Sequence, residues 1–225
     1  MVLGHFGVGL GAKKFAPKIS LGTLFIAVQW ADLLWPVMLL LNFEHVTVRK
    51  DNPHFPLEFT DYPITHSLLM SIIWGCCFGL LYWLRPIPAG MKKDTRGAIV
   101  LGICVVSHWL LDLIVHAPDL PLFPGHSPKL GMSLWNWPLG TMLAEGLFFV
   151  VGLVLYLRTT RAKNKSGKWG LWTLVVLLVA NQFAGALSPL PSSQHALGWA
   201  GQYQWIFVLL GYWVDRNRLV YQVLE

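Results

Sequence analysis

The sequence predicts an all-α membrane protein, a polytopic bundle of about six transmembrane helices with a short helix before the first of them. Its 225 residues are 55% hydrophobic. Only 12% are charged, against about 25% in soluble domains. The mean hydropathy is +0.53, and long apolar segments recur along the whole chain. We therefore predict one integral membrane domain over residues 1–225.

Each predicted span has the length of about 20 residues that crosses a bilayer. Tryptophan, tyrosine and proline lie near the ends of these segments, as they do at membrane interfaces. The six predicted spans are residues 21–41, 63–84, 97–116, 138–158, 169–189 and 196–214.

The distribution of Lys and Arg predicts the orientation. With the N-terminus in the cytoplasm, 14 of the 17 basic residues fall on the cytoplasmic side, and only Arg49, Lys50 and Lys129 fall in the outer loops. Cytoplasmic loops carry such an excess of basic residues. Both termini are therefore predicted to be cytoplasmic, and the net charge of +6 needs no nucleic-acid partner.

Residues 1–18 are too short to form a span of their own. Their four glycines permit close helix packing. The segment either lies on the membrane surface or forms a re-entrant helix that turns back near Pro17. In the re-entrant form His5 and Asp32 reach similar depths, about 12 and 18 Å above the inner ends of their helices.

A stripe of ionisable residues marks the end of the third predicted span. His108, Asp112 and His116 recur every fourth residue and so share one helix face. Pro118 ends the helix and places Asp119 just beyond the stripe. Imidazoles and carboxylates at this spacing suit a divalent metal. Because ionisable residues inside lipid are costly and usually functional, we favour a site over a polar face that only bonds to its neighbours.

Further acidic and imidazole residues are predicted at the same depth, in the outer half of the bilayer. They come from separate segments and are His5, Asp32, His66 and Glu145. Glu145 is predicted to be a general acid or base, or a ligand, and Asp119 to orient a ligating histidine. Asn181 and Gln182 are predicted to hydrogen-bond between helices. The other histidines are predicted to be loop residues and are His45, His54, His126 and His195.

Such a site supports hydrolysis. A divalent ion lowers the pKa of a bound water toward about 7 and polarises a phosphoryl or carbonyl oxygen. Neutral histidine and ionised aspartate suit Zn²⁺, and bridging carboxylates suit two ions. The sequence contains no GxSxG, P-loop or HExxH motif that points to another chemistry.

Several motifs of the chain occur together in one known family. They are His5-Phe6-Gly7, Asp32-Leu33-Leu34-Trp35-Pro36, Tyr62-Pro63-Ile64-Thr65-His66-Ser67, Ser107-His108-Trp109, Leu111-Asp112, His116-Ala117-Pro118-Asp119-Leu120-Pro121 and Glu145-Gly146. This set resembles the bacterial membrane-bound metal-dependent hydrolases, the family that includes the LexA-regulated inner-membrane hydrolases. The resemblance lies within residues 1–158, whereas residues 159–225 carry little of it. It implies a metal-dependent hydrolase of the bacterial inner membrane.

The order of these residues is also similar to that in zinc-dependent phospholipase C, a helical enzyme with clustered zinc ions. This likeness implies zinc, and we predict one or two Zn²⁺ ions, with Mn²⁺ or Fe²⁺ as alternatives. The predicted depth of the site suggests a membrane lipid or lipid-linked phosphoester as substrate. The ligands that the likeness implies are His5, Asp32, His66, His108, Asp112 and His116. As catalytic residues we predict Glu145 or Asp119, either of which would transfer the proton. Thr141 stands where those enzymes have the histidine of a His-x₃-Glu pair, so the likeness does not extend to a third metal site.

Two alternatives of other classes use the same residues. The first is a transporter or metal-ion transit protein, against which the chain shows no inverted repeat. The second is a non-catalytic membrane protein that a metal stabilises.

Overall fold

A computed structural model describes residues 1–48, 57–187 and 191–221 of the chain. This part is mostly helical, as predicted, with small two-stranded antiparallel sheets. The helices are α1 (Leu3–Ala12), α2 (Leu21–Val28), α3 (Trp30–Leu40), α4 (Pro63–His66), α5 (Leu68–Leu84), α6 (Thr95–Val115), α7 (Pro138–Thr159), α8 (Lys165–Leu187), α9 (Gln194–Gly201) and α10 (Trp205–Arg216). The sheets pair β1 (His45–Val48) with β2 (Leu57–Asp61), β3 (Leu120–Pro121) with β4 (Lys129–Leu130), and β5 (Thr160–Ala162) with β6 (Arg218–Val220).

Local sequence signals set the starts of several helices. Ser20, Ser67 and Asp94 each accept a hydrogen bond from the backbone N–H three residues further on. These caps satisfy N–H groups that the first helical turn leaves free. Pro63 and Pro138 occupy the first positions of α4 and α7, where a missing N–H costs nothing.

The prediction of six membrane spans is wrong. In the described part of the chain, α6 and α7 are the two helices long and apolar enough to cross a membrane. The pair α2 and α3, predicted as span 21–41, qualifies only as one broken span bent by 59°. Residues 188 and 189 of the fifth predicted span, together with Arg49, Lys50 and His54, lie outside the described residues.

Helix breaks explain part of the difference. Ser67 is extended and separates the four residues of α4 from the 17 of α5. The span predicted at 196–214 is divided between α9, a 3₁₀ turn at Gln202–Gln204 and α10. Helix α8 corresponds to span 169–189, and the side chains from residue 185 to the end of that span are not among the described ones. A hydropathy window averages over such breaks and does not register them.

Helix α1 is buried in the bundle rather than lying on its surface. It packs against α7, α2 and α6, and His5, Phe6 and Leu10 are fully buried. This position agrees with the re-entrant alternative. At the end of α1, Nζ of Lys13 lies 2.8 Å from Oδ2 of Asp215 and 2.7 Å from the carbonyl oxygen of Ile19.

The largest core joins the two ends of the chain. Phe6, Phe25, Phe149, Leu174 and Phe207 belong to it, so helices from residues 1–158 and 159–225 share one core. Around this core the outward faces of α6 and α7 expose large apolar side chains, which are Ile99, Ile103, Leu110, Leu143 and Leu147. A continuous exposed apolar surface of this kind is typical of contact with lipid or a partner.

Candidate metal centre

Six predicted ligands from five segments meet in the structure. We call them the His–Asp cluster, and they are His5 of α1, Asp32 of α3, His66 of α4, His108 and Asp112 of α6, and His116 directly after α6. Two sets of three potential ligand atoms lie within 4.8 Å of one another: one from His5, Asp32 and His108, the other from His66, His108 and Asp112. The sequence therefore identified residues that the fold brings together.

Asp112 lies at the centre of the cluster, and its two carboxylate oxygens face different sets of nitrogen atoms. Oδ1 lies 3.1 Å from Nε2 of His5 and 2.6 Å from the backbone nitrogen of Met1. Oδ2 lies 3.1 Å from Nε2 of His108 and 3.9 Å from Nε2 of both His66 and His116. A carboxylate with nitrogen atoms on both sides has the arrangement of a bridging ligand.

Asp32 is the second carboxylate of the cluster. Its Oδ1 lies 3.5 Å from Nε2 of His66 and 3.7 Å from Nε2 of His108. It stands in the first turn of α3, directly after the bend at Gln29. The bend therefore turns this carboxylate toward α4 and α6.

The same bend orients His108. Nδ1 of His108 lies 2.7 Å from the carbonyl oxygen of Val28, the last residue of α2. A carbonyl can only accept, so we infer that Nδ1 carries a proton, which leaves a lone pair on Nε2 when the ring is neutral. Nε2 is buried, and it has no hydrogen-bond partner among the described residues, although two carboxylates lie near it. A lone pair that faces carboxylate oxygens is repulsive unless a cation lies between them.

His66 is held by a chain of hydrogen bonds that begins at Glu44. Oε1 of Glu44 accepts from the backbone N–H groups of Ile64 and Thr65, and Oε2 accepts from the Thr65 hydroxyl at 2.6 Å. The hydroxyl oxygen in turn lies 2.7 Å from Nδ1 of His66. Because the hydroxyl proton goes to Glu44, the oxygen accepts from Nδ1–H. Nε2 of His66 therefore also presents a lone pair to the cluster.

His116 is held in the same way from the other side. Its Nδ1 lies 2.9 Å from Oδ1 of Asp119, which also accepts from the Tyr62 hydroxyl at 2.8 Å. The ring packs against Trp135 with centroids 4.1 Å apart. Burial, reinforced by the charge of Asp119, raises the pKa of Tyr62, which therefore stays a donor. The predicted role of Asp119 in orienting a histidine agrees with this geometry.

The Nε2 atoms of His5 and His108 face different oxygens of Asp112. Their rings stack with centroids 3.8 Å apart and planes inclined by 10°. A ring lone pair lies in the plane of its ring, so two stacked rings cannot aim at one position. Nε2 of His5 faces Oδ1 of Asp112, and Nε2 of His108 faces Oδ2. His5 and His108 would therefore belong to different ion sites, and Asp112 is near both rings.

The donor set fits a divalent cation. Burial lowers the pKa of His5 to about 3 and also lowers the pKa of His116, so both rings are neutral. Neutral imidazoles and carboxylates are the ligands that Zn²⁺ prefers among side chains without sulfur. His66, His108 and His116 each have an acceptor behind Nδ1, and metal-binding histidines usually have such a support.

Access to the cluster is uneven. The side chain of Asp32 is 19% exposed, whereas those of the other five members are 0–4% exposed. Within the described part of the chain, a molecule that approaches the cluster therefore meets Asp32 first. We call this side the open edge.

Glu145, predicted as a catalytic residue, has other partners. Its Oε2 accepts from the backbone N–H groups of Leu3 and Gly4, and its Oε1 lies 3.3 Å from Nε2 of Gln182. It caps the first turn of α1, where a negative charge is stabilised. Glu145 thereby places the helix that carries His5, and its acid–base role stays a prediction.

Sequence reasoning missed two supporting residues. They are Glu44 and Thr65, which are 21 positions apart, and their contact depends on the return of the chain from β2 to α4. No local pattern in the sequence links them. Of the predicted loop histidines, His126 is an exposed loop residue. The prediction is wrong for His195, which is exposed on α9, and for His45, which begins β1 and pairs with Asp61 at 3.6 Å, away from the cluster.

Comparisons of the chain with protein-family models, with curated proteins and with solved structures gave no match. The chemistry of this centre therefore has to be argued from its own residues.

Proposed function

We propose that the chain is an integral membrane, metal-dependent hydrolase that acts on a lipid or lipid-linked phosphoester. The observation that supports this most is the convergence of the Nε2 atoms of His66, His108 and His116 on the oxygens of Asp32 and Asp112. The His–Asp cluster would hold one or two Zn²⁺ ions, with Mn²⁺ or Fe²⁺ as alternatives. When bound, the metal supplies a water of lowered pKa and polarises the phosphoryl oxygen.

The remaining roles follow from the positions of the side chains. Asp32 lies at the open edge, so its carboxylate is placed to accept a proton from an attacking water. Asp119 and Tyr62 keep His116 in one tautomer. The buried members of the cluster exclude bulk water from the other sides, which strengthens electrostatic interactions inside the site.

A lipid substrate follows from the surroundings. The helices that supply His108, Asp112 and Glu145 are α6 and α7, the two most apolar long helices of the described chain. Their outward faces expose apolar side chains on the surface of the protein. A substrate with acyl chains can stay in the lipid while its polar group reaches the cluster. We propose the bacterial inner membrane, with both termini cytoplasmic and the site toward the outer face.

The experiment is a metal analysis of detergent-purified protein by mass spectrometry. We expect about one to two zinc ions per chain in the wild type. His108→Ala and Asp112→Ala should lose them, while His126→Ala, which changes an exposed histidine, should keep them. Helical circular dichroism and gel filtration verify that each variant is folded. Folded wild-type protein that binds no zinc, manganese or iron would overturn the proposal.

Activity separates the hydrolase from its alternatives. We expect the zinc-loaded protein to release product from phospholipid vesicles, and His108→Ala to release none. A protein that binds metal but instead moves it across liposomes is a transporter. If metal removal only lowers the unfolding temperature, with no activity on any ester, the metal is structural.

A further inference from the structure

A groove on the surface of the helix bundle lies between α1, α6 and α7. Its volume is about 440 Å³, within the range of about 300–1,000 Å³ that is usual for pockets that bind small molecules. Among the described residues that line it, Arg96 alone is charged, and the others are glycine or apolar residues. We call this cavity the lateral groove.

Glycines leave the lateral groove open. Gly7, Gly11 and Gly152 line it and have no side chains to fill the space between α1 and α7. A Cβ on Gly11 would already lie 3.4 Å from a methyl group of Leu155 and 3.5 Å from Cα of Gly152. Apolar side chains of α6 and α7 form its walls. Such a lining favours a hydrocarbon chain over a polar molecule.

The lateral groove follows the two helices that are long and apolar enough to cross a membrane. Along α6 it extends from Arg96 to Cys104, about 12 Å at the rise of a helix. Cys104 precedes His108 by one helical turn, so the groove ends short of the His–Asp cluster. Its other end, at Arg96, lies where α6 begins.

The end of the lateral groove at Arg96 is basic. Arg96 and Lys14 are both exposed, and Nζ of Lys14 lies 5.8 Å from the ring centroid of Phe15, which also lines the groove. Arg158 is exposed in the last turn of α7, three residues after Leu155, and so lies on the same helix face as that lining residue. We call Lys14, Arg96 and Arg158 the basic end.

The basic end is not neutralised by the protein. In the part of the chain that the structure describes, none of its three residues forms an ion pair or a hydrogen bond with an acidic side chain. Asp94, which is close along the chain, instead accepts from the Tyr82 hydroxyl and the Gly97 backbone N–H. Lys13, in contrast, is buried and pairs with Asp215. The charges of the basic end therefore remain available to an external anion.

The lateral groove and the basic end together select one class of ligand. Basic pockets between transmembrane helices bind the headgroups of anionic lipids, and a guanidinium forms paired hydrogen bonds with a phosphate. A neutral lipid would leave the basic charges without a counterion. A second copy of the chain on this face would bring the same basic residues to the same depth, where like charges repel.

We propose that the lateral groove binds one anionic phospholipid, with an acyl chain between α1, α6 and α7 and the phosphate at the basic end. The lipid comes from the leaflet on the side of the basic end, which is the cytoplasmic leaflet in the predicted orientation. The site is separate from the His–Asp cluster. It goes beyond the proposed function, because binding at the groove requires neither a metal nor hydrolysis.

The first test measures lipid retention by native mass spectrometry of the full chain in detergent. The wild type should retain phosphatidylglycerol in preference to phosphatidylcholine with the same acyl chains. Arg96→Gln should weaken retention of phosphatidylglycerol about fivefold, the usual contribution of one basic residue. Lys92→Gln, which changes an exposed residue outside the groove, should retain it like the wild type. Equal retention of the two lipids by the wild type would overturn the proposal.

A second pair of variants tests the groove itself. Val151 lines the groove on α7, whereas Val150 beside it is exposed and does not. Val151→Trp fills the groove and should abolish retention of phosphatidylglycerol, whereas Val150→Trp should preserve it. Similar retention by these two variants would contradict the site. An equal rise in unfolding temperature with inorganic phosphate and with phosphatidylglycerol would also contradict it, because the acyl chain would then contribute nothing.

Metal analysis separates this site from the His–Asp cluster. Folded His108→Ala should lose zinc but retain phosphatidylglycerol, and Arg96→Gln should keep its zinc. If His108→Ala loses the lipid as well, the lipid binds at the cluster and the separate site is wrong. A wild type that binds no metal but retains phosphatidylglycerol with the expected selectivity would disprove the hydrolase and support the lipid site.

Discussion

Thr65 is the residue on which the direction of His66 depends. Its hydroxyl donates to Glu44 and accepts from Nδ1 of His66, so the imidazole is fixed in the tautomer that leaves Nε2 free. A ring without this partner can rotate or carry its proton on Nε2, and both changes remove a lone pair from the cluster. The hydroxyl matters here through its two bonds rather than through its size.

We therefore expect Thr65→Val to weaken zinc binding by about 10–100-fold, the usual effect of losing a support behind a ligating histidine. Thr65→Ser keeps the hydroxyl and should stay within a few-fold of the wild type. Competition with a chromophoric chelator measures both affinities. Equal affinities for the valine and serine variants would show that the hydroxyl does not orient the ring.

At this scale the sequence reveals ligands more readily than their supports. The spacing of His108, Asp112 and His116 on one helix is a local property, and it predicted three members of the cluster. His5 and Asp32 followed from their similar predicted depths in residues 1–18 and in the span 21–41. The bond from Thr65 to His66 links adjacent residues, but its direction depends on Glu44, which the fold brings from 21 positions away.

Helices α1 and α7 lie closer together at two glycines than any side chain there would permit. A Cβ on Gly152 would overlap the carbonyl oxygen of Gly7, and a Cβ on Gly7 would overlap the backbone of Phe148. By contrast, a Cβ on Gly146 would meet no atom within 4 Å. Helix α7 therefore contains one glycine at which an added methyl group would clash and another at which it would not.

Gly152→Ala should destabilise the protein by about 1–3 kcal/mol, the usual cost of overpacking. It should also lower zinc occupancy, because α1 carries His5. Gly146→Ala should leave thermal unfolding and metal content unchanged. Thermal unfolding in detergent and metal analysis check both. Loss of stability with full zinc occupancy would show that the position of α1 is not coupled to the site.

At the scale of elements, composition predicted where apolar segments lie but not where they break. Predicted spans 97–116 and 138–158 correspond closely to Thr95–Val115 and Pro138–Thr159. Span 21–41 bends at Gln29, and 63–84 breaks at Ser67. Both breaks serve the site, since one frees the Val28 carbonyl for His108 and the other separates His66 from α5. Such breaks are stabilised by tertiary contacts, whereas a hydropathy window is calculated from sequence neighbours alone.

The two ends of the described chain are joined by a buried ion pair. Lys13 and Asp215 are 4% and 13% exposed at the side chain, and Tyr156 also donates to Asp215 at 3.2 Å. Lys14 next to it is exposed. The pair holds the turn between α1 and α2 against the end of α10.

Lys13→Met should cost about 3–5 kcal/mol, because it leaves a largely buried carboxylate without its partner. Lys13→Met/Asp215→Leu should recover much of this loss by removing the orphaned charge. Lys14→Met should have little effect. Thermal unfolding in detergent ranks the three variants. A loss for Lys13→Met no larger than for Lys14→Met would show that the pair does not secure the fold.

The orientation of the whole molecule is predicted by its basic residues. In a variant without Cys76, Cys77 and Cys104, we expect His126→Cys to react with a membrane-impermeant maleimide in intact cells. Lys92→Cys, on the other side, should react only after permeabilisation. The reverse pattern would place both termini outside the cytoplasm and the His–Asp cluster in the cytoplasmic half of the membrane.

The distance along the chain between His5 and Asp112 sets an order of events during biosynthesis. These residues are 107 positions apart, so a nascent chain carries its first ligand long before the central carboxylate exists. At about 5–20 residues per second, this interval lasts roughly 5–20 s. The ribosome must therefore complete α6 before the proposed centre has its central carboxylate. Metal loading of that centre would then indicate that the first half of the protein has inserted and folded.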